Sequence, residues 1–231
     1  MRVGRQQSES DAYRKVRDEL VAAEMALRDQ RERVAELRRR LPLEPVAEDY
    51  RFKVGPDDLS QDAPVREVRL SELFVDPSQP LVFYQYMYGG AQNKPCPMCT
   101  LWTDGLNGIA RHVRRWGNFA IVAQAELEAL RAWARERGWS NLRLVSSAGS
   151  SFKSDFGFQD GKGGQLPGVS VFVRTDQGVR HFYSCSAILD DKFTQFRGLD
   201  LLSPLWHLMD LTPAGRSSWM PSVSYPAGLA R

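Results

Sequence analysis

Two of the chain's three cysteines lie in Lys94-Pro95-Cys96-Pro97-Met98-Cys99, and what flanks them restricts the fold more than any other stretch. Before them runs Leu81-Val82-Phe83-Tyr84-Gln85-Tyr86-Met87-Tyr88, aromatic and β-branched over a strand's length and ending in the turn-forming pair Gly89-Gly90. After them, Trp102, Leu106, Ile109, Val113 and Trp116 recur at alternating four- and three-residue steps, which is one stripe on an α-helix. The expected local structure is a buried strand, a loop, and a helix that begins at the cysteines. First-turn N–H groups have no intrahelical partner and the helix dipole is positive at that end, so a sulfur placed there favours the thiolate.

A Cys-x-x-Cys at a strand-to-helix junction is the thioredoxin-type redox unit. Thiol-disulfide exchange needs one ionised sulfur to attack and a second close enough to displace the mixed disulfide. Cys96, at the outermost end of the helix, is the expected nucleophile, and Cys99, one turn inward, the resolving thiol. Pro97 falls in the first turn, where a missing N–H costs nothing, and stiffens the loop. Pro95, Pro97 and Met98 are the expected partner-contacting residues. Pro167, ahead of the strand-like Val169 to Val173, is a candidate for the cis-proline that thioredoxin folds set opposite the cysteines; Gly168 after it equally suits a trans proline opening a strand. Trp102 reads as core. Asp104 is either a buried proton acceptor for Cys99 or an exposed helix carboxylate, and Gly105 and Gly108 mark a kink or a close packing site.

Two other chemistries use similar residues. A zinc site needs a second ligand pair, whereas Cys185, His112, His181 and His207 are scattered singly, so no metal is expected. Peroxide reduction of the peroxiredoxin kind needs Thr or Ser three residues before the reactive cysteine and Pro four residues earlier; Asn93 and Gly89 stand there. Exchange through a dithiol needs no bound cofactor.

The rest of the chain reads as support. Tyr13, Val16, Leu20, Ala23, Leu27, Val34, Leu37 and Leu41 predict a long amphipathic helix over Asp11 to Leu41, capped by Ser10 or Asp11, balanced at its C-terminus by Arg38-Arg39-Arg40 and stopped by Pro42. At about 1.5 Å per residue it would span roughly 45 Å, which suits a homodimerisation arm as well as a helix lying on its own globule. Tyr50 to Val54 and Val65 to Leu70 predict a hairpin-like entry, followed by a capped turn at Ser71 to Phe74. Asn118 to Ala123 predicts a buried parallel strand, Ala125 to Arg137 a helix closed by Gly138, and Leu142 to Val145 a short strand. Ser146 to Gln165 reads as a long loop, Val169 to Ser184 as a hairpin turning at Asp176-Gln177-Gly178, and Ser203 to Met209 as a last helix. The boundaries are an arm over 1–41, a thioredoxin-like domain over 42–213 and an irregular tail over 214–231 held by Trp219 and Tyr225.

Thirty-one basic against 28 acidic residues give a net charge of +3, which lends nucleic-acid binding no support. No apolar run approaches the roughly 20 residues of a membrane span, and the charged first forty residues do not suit a signal peptide, so a cytoplasmic protein is expected. In a reducing compartment a lone Cys-x-x-Cys is redox-active or metal-binding rather than a structural bridge.

The chain resembles a bacterial domain-of-unknown-function family of thioredoxin-like proteins, predicted dithiol-disulfide oxidoreductases. The resemblance rests on Arg39-Arg40-Leu41-Pro42, Cys96-Pro97-Met98-Cys99 with Trp102-Thr103-Asp104-Gly105, Pro167-Gly168-Val169-Ser170-Val171-Phe172, Arg197-Gly198-Leu199-Asp200 and Asp210-Leu211-Thr212-Pro213. Met98 departs from that family's usual small residue between the cysteines. The resemblance implies an α/β thioredoxin-like fold, a mixed sheet flanked by helices, and exchange with protein or small-molecule disulfides and thiols. The alternative is a thioredoxin-fold binding or scaffold protein that assembles through its N-terminal helix, its cysteines incidental or metal-binding.

Overall fold

Ser10 starts the first helix by accepting the Tyr13 N–H on its side-chain oxygen at 3.2 Å, and α1 runs from Asp11 to Arg39 with Asp11 in its first turn and Arg38 and Arg39 in its last. In the computed structural model, which describes residues 9–188, 202–215 and 219–225, the chain divides into two compact units, Met1–Pro42 and Leu43–Arg231. The first is α1, whose apolar side chains follow one face.

The second unit is built on one eight-stranded sheet. Its strands are β1 (Glu44–Pro45), β2 (Arg51–Val54), β3 (Arg66–Arg69), β4 (Leu81–Gln85), β5 (Asn118–Ala123), β6 (Leu144–Ser146), β7 (Gly168–Thr175) and β8 (Gly178–Ser186), in the order β1-β8-β7-β4-β5-β6-β2-β3. β4, β5 and β6 are parallel, linked through α2 (Pro97–Val113) and α3 (Leu127–Arg137). The strands on either side are antiparallel, including the expected β2–β3 pairing and the β7–β8 hairpin. A central parallel strand is covered on both faces, which is why β5 is almost continuously apolar. On β4 the alternation decides which core each side chain joins: Leu81 and Phe83 pack with Tyr50, Phe52 and Phe172 on one face, and Tyr84 packs with Trp102 and Trp139 on the other.

Several features differ from the expectations. The buried face of α2 is Cys99, Trp102, Thr103, Leu106 and Ala110, while Ile109 and Trp116 are exposed. Trp102 and Leu106 of the expected stripe are on that face, but small Cys99, Thr103 and Ala110 side chains complete it, so a reading that weights only large apolar residues drifts off it toward Ile109 and Trp116. Gly105 and Gly108 lie on the outer face, and a Cβ at either would meet nothing within 4 Å, so neither is a packing site. Each Gly→Ala change should therefore stabilise the protein by about 0.5–1 kcal/mol, read as a higher urea midpoint with unchanged slope. Asp104 is neither the acceptor of Cys99 nor a free surface carboxylate: it pairs with Arg137 and accepts the Trp139 indole N–H at 2.8 Å, tying α2 to α3.

The segment 146–165 is not an open loop. It contains a single helical turn, α4 (Phe152–Asp155), with Phe152 and Phe158 buried, because three phenylalanines interrupt its Ser and Gly. α3 ends at Gly138, which adopts the left-handed conformation at φ 70°. The last helix, α5 (Pro204–Asp210), starts after Ser203, and its Trp206 meets Trp219 of the tail with ring centroids 5.9 Å apart. The Arg197 to Asp200 block lies outside the described residues. Among the described residues no helix is long and apolar enough to cross a membrane.

Candidate active site

β4 hands its chain to Tyr86-Met87-Tyr88 and then to a tight turn in which Gly89 and Gln92 exchange two backbone hydrogen bonds, 2.8 and 3.1 Å. Gly89 has φ 90°, and a Cβ there would lie 2.1 Å from the Ala125 nitrogen, so glycine alone fits. The turn sends the chain back on itself. The Cys96 N–H donates to the Met87 carbonyl at 3.2 Å, and Cys96 becomes the N-cap of α2 with Pro97 as its first residue.

The cap makes the two cysteines unequal. The Cys99 backbone N–H donates to Cys96 Sγ at 3.4 Å, and both thiols are free. The hydrogen bond from the Cys99 side chain, helped by the backbone N–H groups of Cys99 and Met98 and by the Lys153 charge, lowers the Cys96 pKa from 9.0 to about 7 against the opposing effect of burial. Cys96 is 6% exposed, Cys99 not at all, and burial pushes the Cys99 thiol well above its ordinary value. An ionisable outer sulfur and a protonated inner one are the two states that exchange chemistry requires.

A relay of hydroxyls holds the Cys96 carbonyl. The Trp133 indole donates to the Tyr86 hydroxyl at 3.0 Å, Tyr86 lies 2.7 Å from the Thr100 hydroxyl, and Thr100 donates to the Cys96 carbonyl at 2.9 Å. Beneath the loop lies Lys153 of α4, fully buried, whose Nζ donates to the Tyr86 carbonyl at 2.9 Å and to Gln165 Oε1 at 2.8 Å. Gln165 in turn donates to the Gly89 carbonyl at 2.7 Å. Two residues of the 146–165 segment, Lys153 and Gln165, therefore clamp the cysteine loop. Burial lowers the Lys153 pKa from 10.5 to about 7, opposed by attraction to Cys99 and Cys96.

Of the residues expected from sequence, Cys96 and Cys99 come together as foreseen. Pro97 is exposed and Pro95 half-buried at the mouth of the loop, whereas Met98 is buried in the core. Pro167 is buried just before β7, whose first residue, Gly168, pairs with Gln85 at the end of β4, so it stands beside the cysteine loop. Its peptide bond is trans: among the described residues the cis bond is Ala63–Pro64. Cys185 and His181 lie on β8, His207 on α5 and His112 on the exposed side of α2; among the described residues no group of three His, Cys, Asp or Glu could hold a metal. Thr100, Tyr86, Lys153 and Gln165 were not foreseen. The one sequence signal for Lys153 is a lysine set between phenylalanines in Phe152-Lys153-Ser154-Asp155-Phe156.

Residues 3–226 match the family model described as "Bacterial protein of unknown function (DUF899)". None of the curated proteins matches the chain in sequence. Among solved structures, a peroxiredoxin superposes with a TM-score of 0.50 at 12% identity, over 70% of this chain and 98% of that one. A candidate thioredoxin reductase from Burkholderia cenocepacia gives 0.48 at 17% identity over 67% and 91%, and thioredoxin peroxidase I from Plasmodium yoelii 0.47 at 14% over 78% and 100%. The fold is thus thioredoxin-like, a mixed sheet with flanking helices.

Proposed function

The chain belongs to the DUF899 family of bacterial proteins, and from that premise we propose that it is a dithiol-disulfide oxidoreductase working through Cys96 and Cys99. The observation that carries the reading is the pair's asymmetry: Cys96 caps a helix, its sulfur accepts the Cys99 N–H and its pKa is lowered to about 7, whereas Cys99 lies fully buried one turn inward, where burial pushes its thiol well above the ordinary value. In this reading the Cys96 thiolate attacks a partner disulfide, forming a Cys96–partner bond and releasing one partner thiolate. Cys99 then attacks Cys96 Sγ, closing the Cys96–Cys99 disulfide and releasing the second partner sulfur with the electron pair of the broken bond. The partner disulfide is reduced by two electrons and the protein dithiol oxidised by two; the reverse direction uses the same atoms.

The partner is a protein or small-molecule disulfide that reaches Cys96 over Pro95 and Pro97. Peroxide reduction gains less support, since Gly89 and Asn93 supply no hydroxyl ahead of Cys96. The test is equilibration with glutathione and its disulfide at varied ratios, followed by alkylation. Cys96 and Cys99 should lose reactivity together as the mixture becomes oxidising, while Cys185 stays alkylatable. A pair that remains reduced at every ratio, or exchange activity that survives Cys96→Ser, overturns the reading.

A further inference from the structure

We propose that Lys153 is the proton acceptor for Cys99 in the resolving step. The inference rests on the oxidoreductase reading and adds to it the group that makes the buried thiol a nucleophile.

The argument starts from burial. Cys99 is fully buried, so its proton must pass to a protein group before the sulfur can attack. Four ionisable groups act on it or on its partner: Tyr84, Tyr86, Cys96 and Lys153. Cys96 is by then in the mixed disulfide and has no charge to accept a proton. The Tyr86 oxygen is engaged by Trp133 and Thr100. Tyr84 is a neutral phenol, held so by burial, and a phenol oxygen is a poor base. Lys153 remains.

Its hydrogen bonds suit the role. Nζ donates to two acceptors, the Tyr86 carbonyl and Gln165 Oε1, and both are uncharged. A neutral amine has two N–H groups and one lone pair, so both donors are used and the lone pair is left over. No carboxylate competes for it among the described residues: Asp155, two residues along, takes the hydroxyls of Tyr50 and Ser151. Burial brings the Lys153 pKa down to about 7, so the amine and its ammonium are comparably populated near neutral pH, and a thiolate at Cys99, or less strongly at Cys96, favours the ammonium.

The step balances. The Cys99 S–H proton moves to the Lys153 amine, the Cys99–Cys96 S–S bond forms, and the Cys96–partner bond breaks. The partner sulfur leaves with the electron pair and takes its proton from water. In the reverse direction the Lys153 ammonium returns the proton to Cys99.

The test uses the full chain in a Cys185→Ser background with 5,5′-dithiobis(2-nitrobenzoate), each attack releasing one coloured thiolate. The first release reports Cys96 and the second reports Cys99. Lys153→Met should keep the first phase within about tenfold and slow the second by about a hundredfold at pH 7, the scale of a lost general base, with recovery in alkali. Lys153→Arg keeps the charge but cannot deprotonate, so its second phase should be slowed as well. A folded Lys153→Arg or Lys153→Met protein that resolves at the original rate overturns the proposal. Should neither variant fold, the pH profile of the unmodified lysine decides. A second phase that levels off above about pH 7 supports the base, and one that climbs about tenfold per unit into the range of a free thiol overturns it. Absence of a second release even with Lys153 in place would instead sink the oxidoreductase reading itself.

Discussion

Serine in place of Cys99 is expected to leave a protein that attacks one disulfide and stays joined to it. Cys96 keeps its place as the helix cap, and the backbone N–H of residue 99 still points at its sulfur, so the attacking group survives. What disappears is the second sulfur, and with it any intramolecular route out of the mixed disulfide. A disulfide reagent should release one equivalent of thiolate instead of two, and intact-mass measurement should show the partner retained until a reducing agent is added. Catalytic turnover should be lost altogether. The same Cys96 sets the pH profile of the unmodified protein. Its pKa is lowered from 9.0 to about 7, so the reactive thiolate dominates above that pH and is lost as pH falls through it. Iodoacetamide should label Cys96 at about half its maximal rate near pH 7 and about a tenth at pH 6. A Cys99→Ser protein that still turns over would remove Cys99 from the chemistry, and a labelling midpoint near pH 9 would mean that the helix cap leaves Cys96 an ordinary thiol.

The strand, the cysteine pair and the helix were legible because each signal is local: β-branched and aromatic residues in a run, Gly89-Gly90, then a proline at the first helical position. β5 and the β7–β8 hairpin were legible for the same reason. The side of α2 that meets the sheet was legible only in part: Trp102 and Leu106 are buried as expected, but Ile109 and Trp116 are exposed, and the rest of the contact is made by Cys99, Thr103 and Ala110, whose value lies in being small. Lys153 was not legible. A lysine in a Ser- and Gly-rich stretch reads as solvated, and its burial depends on Tyr86 and Gln165 carbonyl oxygens that no spacing rule brings together. Pro167 illustrates the limit of a borrowed expectation: it stands beside the cysteine loop, yet its peptide bond is trans.

Removing the ring of Phe152 should be strongly destabilising and should also disturb the chemistry. Phe152 is fully buried, with ring centroids 5.3 Å from Tyr50, 5.0 Å from Phe52, 5.5 Å from Phe83, 5.1 Å from Phe156 and 5.9 Å from Phe172. These partners come from β2 and the residue before it, from β4 and β7, and from the residue that caps α4, so no single side chain can move in to fill the space. Phe152→Ala should therefore cost about 3–5 kcal/mol, and Phe152→Leu, which leaves a smaller void, clearly less. Urea unfolding should show a lower midpoint with little change in slope; a loss below about 1 kcal/mol would mean that the ring is not held as the contacts indicate. The next residue along the chain is Lys153, so the rings that fix Phe152 also fix the depth at which the lysine meets the Tyr86 carbonyl. A leucine variant that folds but resolves its mixed disulfide more slowly, with the first attack by Cys96 unchanged, would place the cause in the position of α4 rather than in the cysteines.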